Sequence, residues 1–592
     1  MAANRVFELG LVLAGAVSAG AYSAGVMDFL IEALDAYEAA KADHDWDGPT
    51  HDVRVPVMAG ASAGGMTAAV AALQAFRDIA HVWPGRPTPA ADTNRLYSSW
   101  VAGASIEALL RTTDLEGERA AQGVKSALCS DALDEIVEAA FDIAGPAKTR
   151  AWLGRGDDHS LRVMMTLTNM RGVPYSFALY GANSADRFGM LNHADYLDFK
   201  VGIAPTAADA VYPLDVAAPA AADKALFGTA ALATGAFPVG LAPRHIARAA
   251  ADYFQTEKVG YYDASGAFVS IPPDSRLPTG TYAFVSVDGG AIDNEPLELA
   301  RRYLLGAAPR GRPDGQDADK AVVLIAPFPN YKDAPATDAR DTIVHVLSGL
   351  VGALIDQARF KPDELAQAAN DKIFSRFVIS PTRPSNGNAV AAKYPIACGA
   401  LHGFSGFLDQ SFRHHDYLLG RRNAQAFLRW NFALPETNPL FSGARPIAER
   451  WRVADASGAT GSLAPEDEAA LPKKLFATTA KGDETKFGFP IIPLTEATRA
   501  PIEIGAVDQP RPDKLDVAAL HAMIEARVAK VVETLVDVDL RPETDALGIV
   551  LGPLVREGGR RFGAEVATQK AKAIVDAAIQ DLIAAFPVGA EG

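Results

Sequence analysis

The chain has 592 residues, 49% of them apolar and 22% charged, enough for several hundred residues of packed core, which excludes disorder as the main state. Lys and Arg number 56 against 72 Asp and Glu, and a formal net charge of −16 repels phosphate backbones, so no nucleic-acid partner is expected. With only Cys129 and Cys398, a disulfide framework and a Cys-based zinc site are excluded, which fits a reducing compartment.

The first apolar stretch, Leu9 to Leu34, lacks the basic start of a signal peptide, because Arg5 is followed by Glu8. As a membrane span it would bury Asp28 and Glu32 in hydrocarbon. No other run is long and apolar enough to cross a bilayer, so a cytoplasmic protein is expected. The stretch divides into a strand, Phe7 to Ala14, a small-residue turn from Gly15 to Gly20, and a helix with Tyr22, Val26, Phe29, Leu30, Ala33 and Tyr37 at helical spacing. The polar segment Lys41 to Asp52 holds His44, Asp45, Asp47, His51 and Asp52. Without a His-Glu-x-x-His helix it reads as a solvated loop, and neither metal nor cofactor is expected. A short strand at Val57 to Ala59 follows, with Pro56 at its start or on an edge. Then comes a helix from Ser62 to about Arg77, with Met66, Val70, Leu73 and Phe76 on one face. Strand, turn and helix, twice over, predict an α/β fold with a parallel sheet.

From about 80 to 280 the pattern is mixed. Leu161 to Thr168 and Pro174 to Tyr180 read as a strand pair joined through Asn169 to Gly172, flanked by helical pieces at Ile106 to Leu110, Asp131 to Phe141 and Lys224 to Ala233. Strand-like sequence returns at Tyr282 to Val287, Ala321 to Pro327 and Arg376 to Ile379, the last preceded by a helical stretch at Ile343 to Phe360. Ala307 to Asp319 is the most linker-like segment. A long amphipathic helix is expected from Gly406 to Trp430, and two more at Leu515 to Val536 and Phe562 to Phe586. The organisation predicted is a catalytic domain over 1–430, with an insertion at about 80–280 roofing the site, and an accessory, mainly helical region over 431–592.

Gly60-Ala61-Ser62-Ala63-Gly64 is a Gly-x-Ser-x-Gly run between an apolar strand and an amphipathic helix, the setting of an elbow that holds a serine exposed above a sheet's carboxyl edge. The helix after Ser62 points its positive end at any anion formed on a substrate. A serine needs a base at neutral pH. Asp288 is the candidate, because it ends the strand Tyr282 to Val287 and is followed by Gly289 and Gly290, which puts it at the same carboxyl edge. Backbone N–H groups of Gly15, Ala16 and Val17, joined by that of Ala63, are the candidate oxyanion donors. A phosphate loop is excluded there because the Gly-x-Gly spacing and a Lys-Ser/Thr pair are missing.

Together the glycine-containing first turn, the Gly-x-Ser-x-Gly run and the string Asp288, Gly289, Gly290, Asn294, Pro296 resemble the patatin-like phospholipases. The resemblance is specific over residues 7 to 77 and 281 to 300, and Ala400 to Phe427 resembles a recurrent stretch of larger bacterial members. It implies a three-layer α/β/α sandwich with a mainly parallel sheet and a Ser-Asp dyad without histidine. Ser62 would be the nucleophile, Asp288 the base, and Gly15 to Val17 the oxyanion hole, with Gly60, Gly64, Gly289, Gly290 and Asn294 as motif support. The substrate implied is a phospholipid or another acyl ester. One departure is visible: where the family carries glycines followed by Arg or Lys and Gly, this chain has Ala14-Gly15-Ala16-Val17-Ser18-Ala19-Gly20. Two alternatives stay open: an α/β-hydrolase triad of Ser62, Asp288 and His402, His414 or His415, and a degenerate lipid-binding protein. The C-terminal helices are expected to pack within an accessory domain or between subunits, with peripheral contact to a membrane surface as their minority role.

Overall fold

The computed structural model describes residues 5–142, 145–156, 158–178, 187–206, 208, 210–256, 259–263, 268–306, 317–328, 376–383, 393–443, 445–454, 487–541, 560 and 563–587. The helix expected at Ile343 to Phe360 lies outside them, as does most of Ala307 to Asp319. The central sheet has nine strands: β1 (Val6–Leu13), β2 (Asp52–Gly60), β3 (Leu161–Ala178), β4 (Arg187–Gly202), β5 (Tyr212–Asp215), β6 (Arg244–Ala249), β7 (Thr281–Asp288), β8 (Lys320–Ile325) and β9 (Arg376–Ile379). Their order is β9-β8-β1-β2-β3-β4-β5, and β7 bridges β3 and β6. Every pairing from β9 through to β3 is parallel. β3 is antiparallel to both β4 and β7.

Alternation along the strands builds two cores. Leu11, Leu13, Val323 and Ile325 face helices α1 (Gly20–Lys41), α2 (Ala63–Gln74), α4 (Ala221–Thr234) and α6 (Gln410–Trp430), while α3 (Asp131–Phe141) packs beyond them on α4. On the opposite face Val12, Val322 and Leu324 meet Ala300 and Leu304 of α5 (Leu297–Leu305). The result is the expected three-layer sandwich.

Pro56 departs from expectation, since it lies inside β2, between β1 and β3, rather than at an edge. Proline has no N–H for the ladder, and the strand absorbs it as a bulge: Glu8 pairs with Arg54 but Gly10 with Val57. The extra residue flips the alternation, so Val53 and Val55 face the α1 core and Val57 and Ala59 the α5 core. The predicted pair Leu161 to Thr168 and Pro174 to Tyr180 is likewise one long strand, β3, with an irregularity between Thr168 and Val173. Asn169 turns its side chain back to accept from Arg171 and Gly172 N–H at 3.0 Å each, so a sequence that reads as a turn is a bulge against β4. The stretch expected as an insertion therefore supplies β3 to β6, four of the nine strands described.

α1 and α6 cross in near backbone contact: a Cβ on Gly25 would lie 1.9 Å from the Tyr417 carbonyl, and one on Gly420 2.2 Å from that of Tyr22. Beside the crossing, Arg421 pairs with Asp28 at 2.6 Å and with Glu32 at 2.5 Å, and His81 Nδ1 meets Asp28 at 2.5 Å. Among the described residues one segment, Val17–Lys41, is long and apolar enough to cross a membrane, and it is mostly buried inside the protein.

No break in packing marks residue 430. Phe432 meets Phe7 edge to face at 5.8 Å, and a small sheet of Ala433–Pro435, Phe487–Pro490 and Val453–Ala454 follows. His51, expected in a solvated loop, is buried between Tyr37 and Phe441 with Nε2 on the Ile491 carbonyl at 2.9 Å. Two further helices, α7 (Val517–Thr534) and α8 (Ala564–Ala585), pack Leu520, Ile524, Ile579 and Leu582 with Phe412 and Leu408.

Candidate active site

β2 ends at Gly60, and the chain turns into α2 through Ser62, whose backbone sits at φ 53°, ψ −132°. An L-residue stays in that region only when its surroundings fix it. Ser62 N–H donates to Thr234 Oγ1 at the end of α4, 3.0 Å away, and Ala61 N–H to the Leu13 carbonyl at 3.2 Å. The bend leaves no room for side chains on its flanks. A Cβ on Gly64 would lie 2.1 Å from the Leu13 carbonyl oxygen, and one on Gly60 2.6 Å from that of Gly64.

Asp288 reaches the same place from the opposite direction. Met165 of β3 pairs with Gly60 and Leu167 with Asp288, so β2 and the antiparallel β7 end almost head to head beside β3. The sequence predicts Asp288 at the end of one of the parallel strands. Its strand runs the other way, and the two C-terminal ends converge because β3 continues past both. Ser62 Oγ donates to Asp288 Oδ2 at 2.6 Å, and Gly290 N–H donates to Oδ1 at 2.7 Å. Ser62 is 8% and Asp288 3% exposed. Burial pushes the Asp288 carboxyl from 3.8 up to about 7, with the Ser62 and Gly290 hydrogen bonds working in the opposite direction. Among the described residues no Lys, Arg or His forms an ion pair with it.

The glycines of both turns close around Asn294. Its side-chain oxygen would be 2.2 Å from a Cβ on Gly15 and 2.5 Å from one on Gly290, and a Cβ on Gly289 would strike the Thr166 carbonyl at 2.2 Å. The Asn294 carbonyl accepts from Gly15 N–H at 3.2 Å. Gly15 is therefore not the free donor expected of it: its N–H is taken, and its missing side chain is what lets Ser62 Cβ approach to 3.0 Å of where a Cβ would stand. Val17 (φ 49°) opens a 3-10 turn, Ala16 caps it and Ala63 opens α2. These are positions whose N–H groups have no intrahelical acceptor, and among the described residues no carbonyl accepts from them.

A cavity of about 790 Å³, counted to its open mouth, begins at Ser62 and runs between α2, α3 and α4. Met66, Val70, Leu73, Ile136, Val137 and Phe227 line it, and among the described residues Ser62 and Ser99 are its only hydroxyl side chains. None of the histidines of the triad alternative bonds Asp288 or Ser62. His414 bonds Tyr97 Oη at 2.8 Å and Asp508 at 3.1 Å, His415 Nδ1 bonds Asp416 at 2.8 Å, and His402 is exposed in a turn. Thr234 went unread in the sequence because a threonine ending an Ala-rich helix carries no motif, and its partner is 172 positions away.

A family model described as patatin-like phospholipase matches residues 11–301. The uncharacterized protein y4iI of Sinorhizobium fredii is 38% identical to the chain over 487 residues, which span 75% of this chain and 67% of that protein.

Proposed function

Since the chain belongs to the patatin-like phospholipase family, we propose that it hydrolyses lipid acyl esters through an acyl-enzyme, with Ser62 as nucleophile and Asp288 as general base. The observation that carries this reading is the 2.6 Å hydrogen bond from the Ser62 hydroxyl to a carboxylate without a cation, at the mouth of an apolar cavity. A carboxyl lifted to about 7 is half ionised near neutral pH and strong enough to accept a hydroxyl proton, which an ordinary carboxylate does poorly.

Ser62 Oγ attacks the ester carbonyl carbon as its proton passes to Asp288 Oδ2. The carbonyl oxygen becomes an oxyanion, which the N–H groups of Ala16, Val17 and Ala63 stabilise at the positive end of α2. Collapse of the intermediate expels the alcohol, which takes the proton back from Asp288. Water then attacks the acyl-enzyme with Asp288 again as base. The fatty acid leaves and the proton returns to Ser62 Oγ.

The cavity suits an acyl chain better than a headgroup, because among the described residues no charged side chain lines it. Its wall follows α2 from Ala63 to Leu73, about 15 Å at 1.5 Å per residue, which at about 1.2 Å per bond accommodates roughly a dozen carbons. Labelling with a fluorophosphonate tests the reading. Wild type should be modified at Ser62 and hydrolyse a fluorogenic ester, and Ser62→Ala should do neither. A folded wild-type protein that never reacts at Ser62 points instead to a degenerate lipid-binding protein.

A further inference from the structure

The family match ends at residue 301, yet the turn that carries Ala16 and Val17 is held by residues about a hundred positions beyond it. Val17 is β-branched and sits at φ 49°, a conformation such a residue does not keep unaided. Within the turn the chain supplies only short 3-10-type hydrogen bonds, from Ala19 N–H to the Ala16 carbonyl at 2.9 Å and from Gly20 N–H to the Val17 carbonyl. Gly15 N–H on the Asn294 carbonyl anchors the start of the turn, and beyond Val17 the hold comes through Ser18, which is fully buried. Its hydroxyl donates to the Gly403 carbonyl and accepts from Gly406 N–H at 3.0 Å. Gly403, at φ 95°, packs so closely that a Cβ there would lie 3.2 Å from Val17 Cβ, and one on Gly406 would lie 2.5 Å from Ser18 Oγ.

The partner segment is itself fixed from α6. Asp416 accepts from Ala397 N–H at 2.9 Å and Cys398 N–H at 2.8 Å. Ser405 Oγ donates to the Ala397 carbonyl at 2.7 Å, and the Arg413 guanidinium donates to the carbonyls of Gly406 and Val101. Ser405, Arg413 and Asp416 are all buried. Phe407 of the same segment also lines the cavity beside Val17 and Ser62.

We infer that Ser18, clamped between Gly403 and Gly406, is the positioning residue of the oxyanion turn, so that the working site extends to the segment 397–416, outside the region matched by the family. This rests on the hydrolase reading. Ser18 touches neither substrate nor Ser62 and acts through the placement of the Ala16 and Val17 N–H groups. Those groups act on charge that develops in the transition state, so their displacement lowers kcat and leaves KM nearly alone. A purely structural role would lower the melting temperature and leave kcat per folded molecule intact.

The experiment is steady-state hydrolysis of p-nitrophenyl octanoate by the full chain, with fluorophosphonate labelling of Ser62 and thermal melts alongside. In Ser18→Ala, kcat should fall about 10- to 100-fold, the scale of a misplaced oxyanion donor, with KM within about twofold. Ser18→Cys keeps the shape with only weak hydrogen bonds and should lose about fivefold or more. It covers the case in which Ser18→Ala does not fold. Wild-type kcat in a folded Ser18 variant, or a loss confined to KM, overturns the inference while leaving the hydrolase reading standing. No labelling of wild-type Ser62 overturns the reading, and the inference with it.

Discussion

Asp288 and Asp28 are both buried, 3% and 0% exposed, and stand in opposite electrostatic settings. Burial works to raise both. At Asp28 the Arg421 guanidinium, 2.6 Å away, and the His81 imidazole outweigh it and hold the carboxyl below its ordinary value. At Asp288 no cation answers, and the carboxyl rises to about 7 despite bonds from Ser62 and Gly290. Burial alone therefore does not make a base. A matched cation turns a buried carboxylate into a fixed strut between α1 and α6, and withholding one leaves it able to take a proton near neutral pH.

The two groups also pull stability in opposite directions with pH. Folded Asp288 keeps a proton that the unfolded chain releases at about 4, so its contribution declines as pH rises from about 4 to about 7. Asp28, lowered in the folded state, contributes stability that is present above its unfolded value and is lost as pH falls through its folded one. The sharpest way to break this contrast is Asp288→Asn. Hydrolysis should drop by about 10⁴, the upper end of what a positioned general base contributes. Stability at pH 8 should rise, by at most about 4 kcal/mol for a shift near three units, because the amide no longer buries charge. Urea melts at pH 5 and 8 measure it. A gain at pH 8 no larger than that at pH 5 removes the claim that Asp288 is a strained charge.

The mirror experiment is Arg421→Met. It strands Asp28 and Glu32 without their cation and should destabilise by about 3–5 kcal/mol, with kcat per folded molecule within about twofold. Denaturant unfolding and active-site titration separate the two quantities. A loss of kcat matching that of Asp288→Asn would mean the strut and the site are not independent.

How much of this contrast a reader of the sequence sees depends on the separation of the partners. Ser62, Asp288 and Asn294 stand in short strings whose glycines have a local steric purpose, and the alternation of β1 and β8 gives the layers directly. The direction of β7 is not in its own residues, because an apolar run of eight reads alike in either orientation. Pro56 misleads because a bulge that absorbs a proline is decided by β1, not by β2. Asn169 to Gly172 has turn chemistry and makes a bulge because β4 lies alongside. The Thr234, Arg421 and Ser18 contacts join positions 172, 393 and 385 apart, and nothing local marks them.

A smaller effect sharpens the Asp288 side alone. With Asp288 as the proposed base its carboxylate form is the one that works, so kcat/KM should fall about tenfold per pH unit below an ionisation near 7 and level off above it. A profile controlled by one ionisation near 4 would put Asp288 in the ordinary carboxylate range and erase the contrast with Asp28.

The smallest effect concerns the cavity, whose apolar walls begin at Ser62 and, on the proposed function, receive the acyl chain. Each methylene buried along α2 adds about 0.8 kcal/mol, up to about fourfold in kcat/KM. The increase should continue through roughly twelve carbons, the length of wall that α2 supplies from Ala63 to Leu73. Val70 faces the cavity seven positions beyond Ala63, about 10 Å along the helix. Val70→Phe should accordingly move the break to about eight carbons and leave butanoyl and hexanoyl esters unchanged, measured over a p-nitrophenyl ester series. If long and short esters lose equally, the chain lies elsewhere. If the break moves as stated, the apolar wall along α2 sets the substrate's length.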